Sequence, residues 1–310
     1  MKKLHLLIAT LTTALLIGCG TTSKVPITGR KQSLLVNNEQ VLSLSEQQYK
    51  EYMKTAKAST NAAQTAMVKR VGQRLAAAVV EYLNANGMGD EVKTYAWEFN
   101  LVQNKEVNAF CMPGGKIVVY EGILPVTKDE ASLAVVLGHE IAHAVAKHSA
   151  ERLSNAYRQQ IGLKVLSAGA QMAGASSTLQ GLGTAVLGVG AQAWSSGFSR
   201  SQESEADHIG LIFAAMAGYD PEVAVSFWQR MAEASGSKGS AVSSIFSDHP
   251  SDAKRIAALE QEMPTALKYY QAAKPATTTK KTATSTAKKT TTKKTTTAKM
   301  TTTRKKTTRK

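Results

Sequence analysis

The chain is 310 residues long, with 38 Lys or Arg against 23 Asp or Glu, two Cys and a formal net charge of +15. Thirteen of the basic residues lie from Lys274 onward and two lie in the first three positions, so the remainder carries 23 basic and 23 acidic residues. A near-neutral body excludes a basic nucleic-acid surface as its organising feature, and two cysteines exclude a disulfide-stapled scaffold. No repeat with a period of 20 to 50 residues is present, which excludes an attached helical-repeat module.

Residues 1–18 have the layout of an export signal. Lys2 and Lys3 supply a positive start, and an apolar run of 14 residues follows from Leu4 to Ile17. That run is shorter than the roughly 20 residues of a membrane-crossing helix. Leu16-Ile17-Gly18-Cys19 resembles a bacterial lipobox, which implies that Cys19 is the lipidated first residue of the mature chain. Gly20 after it implies an outer membrane facing the periplasm as the destination. With Cys19 lipidated, Cys111 has no disulfide partner, and its apolar surroundings predict a small buried side chain.

Residues 19–30 read as a linker and 31–272 as one folded domain. Amphipathic periodicity predicts helices over 38–57 and 65–84, the second stopping near Gly87. Alternation predicts a strand over 95–102, and a second strand over 116–120 follows the Pro113-Gly114-Gly115 turn. Thr127-Lys128-Asp129-Glu130 reads as a capping box opening one helix over 131–149. Residues 161–194, rich in Gly, Ala, Ser and Leu, predict packed helices or a mobile lid. Further helices are predicted over 199–217, from Asp220-Pro221, and after His249-Pro250, with a Gly/Ser loop over 236–247. Mostly helix with a small sheet makes an α+β fold. Residues 273–310, almost wholly Thr, Lys and Arg from Lys274 on, bury too little apolar surface to order themselves. This basic tail either solvates the protein or binds anionic envelope polymers, and nucleic acid is not an expected partner of an exported chain.

Gly138-His139-Glu140-Ile141-Ala142-His143 carries the strongest chemical signal. Residues four apart on a helix lie about 40° apart, so His139 and His143 can hold one ion. Zinc takes neutral imidazoles readily and keeps a position open for water in catalytic sites. Glu140, beside the first ligand, is placed to take a proton from that water. The apolar residues upstream predict a buried helix, where charged groups need partners. His148, nine residues beyond His139, would point off the opposite side of a continuous helix and reads as structural.

A third ligand comes from Ser199–Asp207, where Glu203 and Asp207 are again four apart. Glu203 is the predicted ligand, and Asp207 is the predicted acceptor for the N–H of a ligating histidine. Glu205 competes for the ligand role but lies on another helical face.

HExxH followed by ExxxD resembles the gluzincins, and the surrounding sequence is similar to the M48 peptidases. Val25–Arg30, Asn108-Ala109-Phe110 with Pro113-Gly114-Gly115, and His249-Pro250 with Arg255-Ile256 carry the same resemblance over nearly the whole body. It implies a mostly helical zincin-like domain, one zinc ion per chain, and an endopeptidase of the bacterial envelope type. Its substrates would be unfolded or misassembled envelope proteins. It further implies that Asn108, Ala109 and Phe110 form an edge strand pairing with substrate. His249 would then be either a resting zinc ligand or a donor to the developing oxyanion. The rivals are a zinc-stabilised chaperone or assembly factor, and a surface-attachment lipoprotein, each with little or no hydrolysis.

Overall fold

The computed structural model describes residues 21–167, 197–235 and 253–274, all within a compact unit that ends at Pro275. Cys19, His249, the expected signal, the Gly/Ser loop, the basic tail beyond Lys274 and residues 168–194 of the Gly/Ala-rich stretch lie outside the described residues.

The expected linker carries structure. Strand β1 (Thr21–Lys24) pairs antiparallel with β2 (Lys31–Leu34), Thr21 opposite Leu34. The connecting loop reverses through left-handed backbone at Ile27 (φ 67°) and Gly29 (φ 67°). A β-branched residue resists that region. The loop holds it because Val25 is buried beneath and the Ile27 N–H donates to the Tyr82 hydroxyl at 3.0 Å.

Helices α1 (Asn38–Thr55) and α2 (Ala62–Ala85) begin at Asn37 and Asn61, whose side chains accept from the Glu39 and Gln64 N–H groups. Each cap satisfies a donor the first helical turn leaves open. Along α2, Val68, Val71, Leu75, Val79 and Leu83 recur at helical spacing and are all buried. The helix stops at Gly87 (φ 72°) before the short α3 (Gly89–Val92).

Strands β3 (Glu98–Val102), β4 (Ala109–Met112) and β5 (Lys116–Tyr120) form a sheet ordered β3-β5-β4, with β5 parallel to β3 and antiparallel to β4. The strand predicted from residue 95 begins at Glu98, and Tyr95 and Trp97 stack face to face at 4.7 Å ahead of it. Successive strand residues point to opposite faces. Ala109, Cys111, Ile117 and Val119 therefore join the larger core, while Phe110, Met112, Val118 and Tyr120 join a second one with Val41 and Tyr49 of α1.

The short α4 (Leu124–Thr127) closes on Lys128 (φ 66°), and α5 (Glu130–Val145) starts afresh. Its cap is Asp129, which accepts from the Ser132 N–H at 2.7 Å, rather than Thr127. Every residue of α5 from Ser132 to Val145 is buried. The helix predicted to run to Ser149 ends at Val145. Lys147 adopts left-handed backbone (φ 56°) and α6 (His148–Ser167) leaves in a new direction. Outside partners stabilise the break: Gln32 donates to the Ala146 carbonyl at 3.0 Å, and Lys147 pairs with Glu91 at 2.6 Å.

Helix α7 (Arg200–Met216) opens with a capping box between Ser199 and Gln202 and stops at Gly218 (φ 76°). Helices α8 (Val223–Ser235) and α9 (Ala253–Ala273) complete the described chain. No described helix is long and apolar enough to cross a membrane.

Candidate metal centre

The site forms where α5 crosses α7. A Cβ on Gly138 would lie 2.6 Å from the Gly210 carbonyl oxygen, and one on Gly210 would lie 2.6 Å from the His139 backbone nitrogen. Only glycine at both positions allows the backbones this close. Glu203, Asp207 and Gly210 share one face of α7 at helical spacing, so the crossing sets both carboxylates beside the α5 histidines.

His139, His143 and Glu203 converge, each buried, with one potential ligand atom apiece all within 4.8 Å of one another. The two Nε2 atoms are 3.1 Å apart, and each lies 3.4 Å from a Glu203 carboxylate oxygen. Those separations match the roughly 3.3 Å edge of a tetrahedron with bonds of about 2.0–2.1 Å. Two imidazoles and one carboxylate are a donor set suited to zinc. The residues present fit such an ion.

Each imidazole is held at its other nitrogen. His139 Nδ1 lies 2.9 Å from Asp207 Oδ1, which also accepts from Arg255 at 2.5 Å. The Arg255 guanidinium lies 3.4 Å above the Trp228 ring, whose edge meets the His139 ring. His143 Nδ1 lies 2.9 Å from His148 Nδ1, and Phe198 stacks on the His143 ring at 4.0 Å.

Electrostatics differ between the two rings. Burial and Arg255 push His139 down, but hydrogen bonds to Asp207 and Glu203 outweigh them and raise it to about 9. That is an environment that favours bound positive charge. Burial pushes His143 well below the ordinary histidine value, which keeps its ring neutral. Burial opposes ionisation of Asp207, yet Arg255 and His139 hold its carboxyl below the usual range.

Glu140 is 1 % exposed on α5. Its charge acts on Cys111 of β4, and burial pushes that thiol well above the usual value. β4 lies at one edge of its sheet, and the Ala109 N–H donates to the side-chain oxygen of Asn108 at 2.8 Å. The Ala109 and Phe110 side chains are buried in opposite cores.

His148 does not point away from the site, because the break at Lys147 turns its ring onto His143. Glu205 lies outside the three-residue cluster and accepts from His148 Nε2 at 3.0 Å, from Arg30 and from Thr28. Sequence reasoning gave no role to Arg30, Phe198, Trp228 or Arg255. Arg30 and Arg255 stand within segments that carry the family resemblance, and that was their only signal.

Comparison with known proteins agrees with this geometry. The sequence model described as Peptidase family M48 matches residues 62–263, well over half of the chain. The chain is 40% identical over 203 residues to the mitochondrial metalloendopeptidase OMA1 of Schizosaccharomyces pombe, covering 65% of this chain and 54% of that protein. It is 32% identical over 252 residues to the Bos taurus metalloendopeptidase OMA1, covering 78% and 46%. It is 32% identical over 181 residues to the Beta-barrel assembly-enhancing protease of Yersinia pestis, covering 55% and 33%. The chain thus spans about half or less of the length of these relatives. On the family match and the buried cluster of two imidazoles and a carboxylate, the chain belongs to peptidase family M48.

Proposed function

We propose that this protein is a zinc-dependent metalloendopeptidase whose working groups are His139, His143 and Glu203 as ligands and Glu140 as the base. One observation carries the reading. Three buried donors of the right chemistry converge across the α5–α7 crossing, and a buried carboxylate stands one residue from the first of them. When bound, the ion supplies Lewis-acid polarisation of the scissile carbonyl and acidifies the attacking water. Glu140 takes the proton from that water and returns it to the leaving amine. Asp207 and Arg255 hold the His139 ring in one orientation, and Phe198 and Trp228 keep the site dry. A peptide would add to the outer edge of β4 through backbone hydrogen bonds, displacing the Asn108 side chain from the Ala109 N–H. His249 would act at the same centre. A gain of activity in His249→Ala would mark a blocking ligand, and a loss would mark a donor to the oxyanion.

Backbone pairing tolerates many side chains, which supports unfolded or misassembled envelope proteins as the substrate class. The name of the Yersinia pestis relative, Beta-barrel assembly-enhancing protease, points the same way. The lipobox-like Leu16–Cys19 supports a lipid anchor at the outer membrane. Cys19→Ser should abolish incorporation of labelled fatty acid and release the protein from membranes. A variant that still takes the label would remove the anchor from the account.

Zinc content and casein cleavage of wild type and Glu140→Gln test the main reading. One zinc per chain in both, with cleavage falling about 10²–10⁴-fold in the variant, is the expected result. Bound zinc with no cleavage by either protein would favour a zinc-stabilised chaperone instead.

A further inference from the structure

We propose that His148 and Glu205 are positioning residues for the metal centre, forming a relay that fixes the tautomer and orientation of His143. The inference rests on the zinc-site reading above.

The relay follows from which atoms can donate. Glu205 carries a carboxylate, which only accepts, so His148 Nε2 donates to it across 3.0 Å. A neutral His148 then has only a lone pair at Nδ1, and it accepts there from His143 Nδ1–H across 2.9 Å. That leaves the His143 Nε2 lone pair aimed at His139 Nε2 and Glu203, the one tautomer able to bind a cation through that nitrogen. The assignment is set by the network rather than by sight of hydrogens. It parallels the direct bond from His139 to Asp207 on the other side of the site, with one imidazole interposed.

The outer end of the relay is clamped from a distant part of the chain. Arg30 donates to Glu205 through Nε at 2.8 Å and to both oxygens of Glu151 at 2.7 and 3.0 Å. Thr28 donates to the other Glu205 oxygen at 2.6 Å, and Gln202 donates to Glu151 at 2.8 Å. Thr28 and Arg30 flank Gly29 in the loop that holds Ile27 in unfavourable backbone. The His148 ring is fully buried, so few other arrangements are open to it. The segment next to the proposed lipid anchor is therefore wired to a metal ligand through four side chains.

Three full-chain variants test the relay by zinc affinity in chelator competition, by the visible spectrum of the cobalt-loaded protein, and by the melting temperature of the metal-free protein. His148→Asn puts an acceptor oxygen where Nδ1 stands and keeps the bond from His143. His148→Gln reaches Glu205 but removes that acceptor. Zinc affinity should fall about 10–100-fold in His148→Gln and stay within about threefold of wild type in His148→Asn. The cobalt spectrum should change only in the Gln variant, while the two metal-free melting temperatures stay alike. Equal loss in both, or no loss in either, would overturn the relay and leave His148 a packing residue. If neither variant folds, Glu205→Gln decides. A fall of about threefold to tenfold sustains the relay, and unchanged affinity overturns it. A wild-type protein that binds no zinc would sink the metal reading itself, which separates the two failures.

Discussion

The two histidines of α5 stand on one helix four residues apart, yet their outer supports are built differently. His139 is held by one direct bond to Asp207, with Arg255 and Trp228 behind it. His143 is held through a second imidazole to Glu205, and that carboxylate is anchored by a loop more than a hundred residues earlier. The direct bond joins two crossing helices, and helical spacing places both of its residues. The indirect one needs a helix break, an N-terminal hairpin and several long-range bonds to agree. The first is short and stiff, whereas the second gives distant residues a route to the site.

The largest effect short of removing Glu140 should come from the feature both sides share. Gly210→Ala would press a Cβ against the His139 backbone nitrogen. Helix overpacking of this kind costs about 1–3 kcal/mol. Moving α7 by even 1 Å withdraws Glu203 and Asp207 together, so cleavage should fall about 10²-fold. Thermal unfolding and casein cleavage would read both, and a fully active variant would refute the crossing as the site's foundation.

Asp207→Asn sharpens the contrast between the two supports. It removes the charge that orients His139 directly, so zinc affinity should drop about 10–100-fold. Glu205→Gln acts one imidazole further out and should cost less. Equal losses in chelator competition would erase the distinction.

The smallest effect is a pH dependence. Burial pushes the Glu205 carboxyl up, but His148, Arg30 and Thr28 outweigh it and hold it at about 2, against an ordinary value of 4.5. A carboxyl lowered by folding stabilises the fold above its unfolded range, and that share is lost as pH falls through the folded value. Wild type should therefore melt higher than Glu205→Gln at neutral pH. The two should converge as pH falls from about 4.5 towards about 2. Parallel curves across that window would remove the charge from the account.

The three ligands and Asp207 were legible in the sequence because their logic is local. Four-residue spacing in His139–His143 and again in Glu203–Asp207 fixes which side chains share a face. A helix apolar on every side is equally readable as buried. The indirect side was not legible for a physical reason. No Gly or Pro marks the end of α5. Lys147 enters left-handed backbone because Gln32 and Glu91, far away in sequence, secure it there. Read as one continuous helix, the segment sends His148 the wrong way. The β1–β2 hairpin escaped notice for a similar cause, since a polar strand of four residues has no alternation to show. The edge strand β4 was reached only through family resemblance, because the run Ala109–Met112 is buried on both faces and does not alternate.

On the proposed function, one ion sits between α5 and α7 on His139, His143 and Glu203. An anomalous difference map at the zinc edge, from crystals of zinc-loaded protein, tests it most directly. The expected result is a single strong peak bonded to Nε2 of His139, Nε2 of His143 and the Glu203 carboxylate, with Asp207 and His148 on the far nitrogens of the two rings. A peak bonded to His148 or Glu205, or none at the crossing, would contradict it.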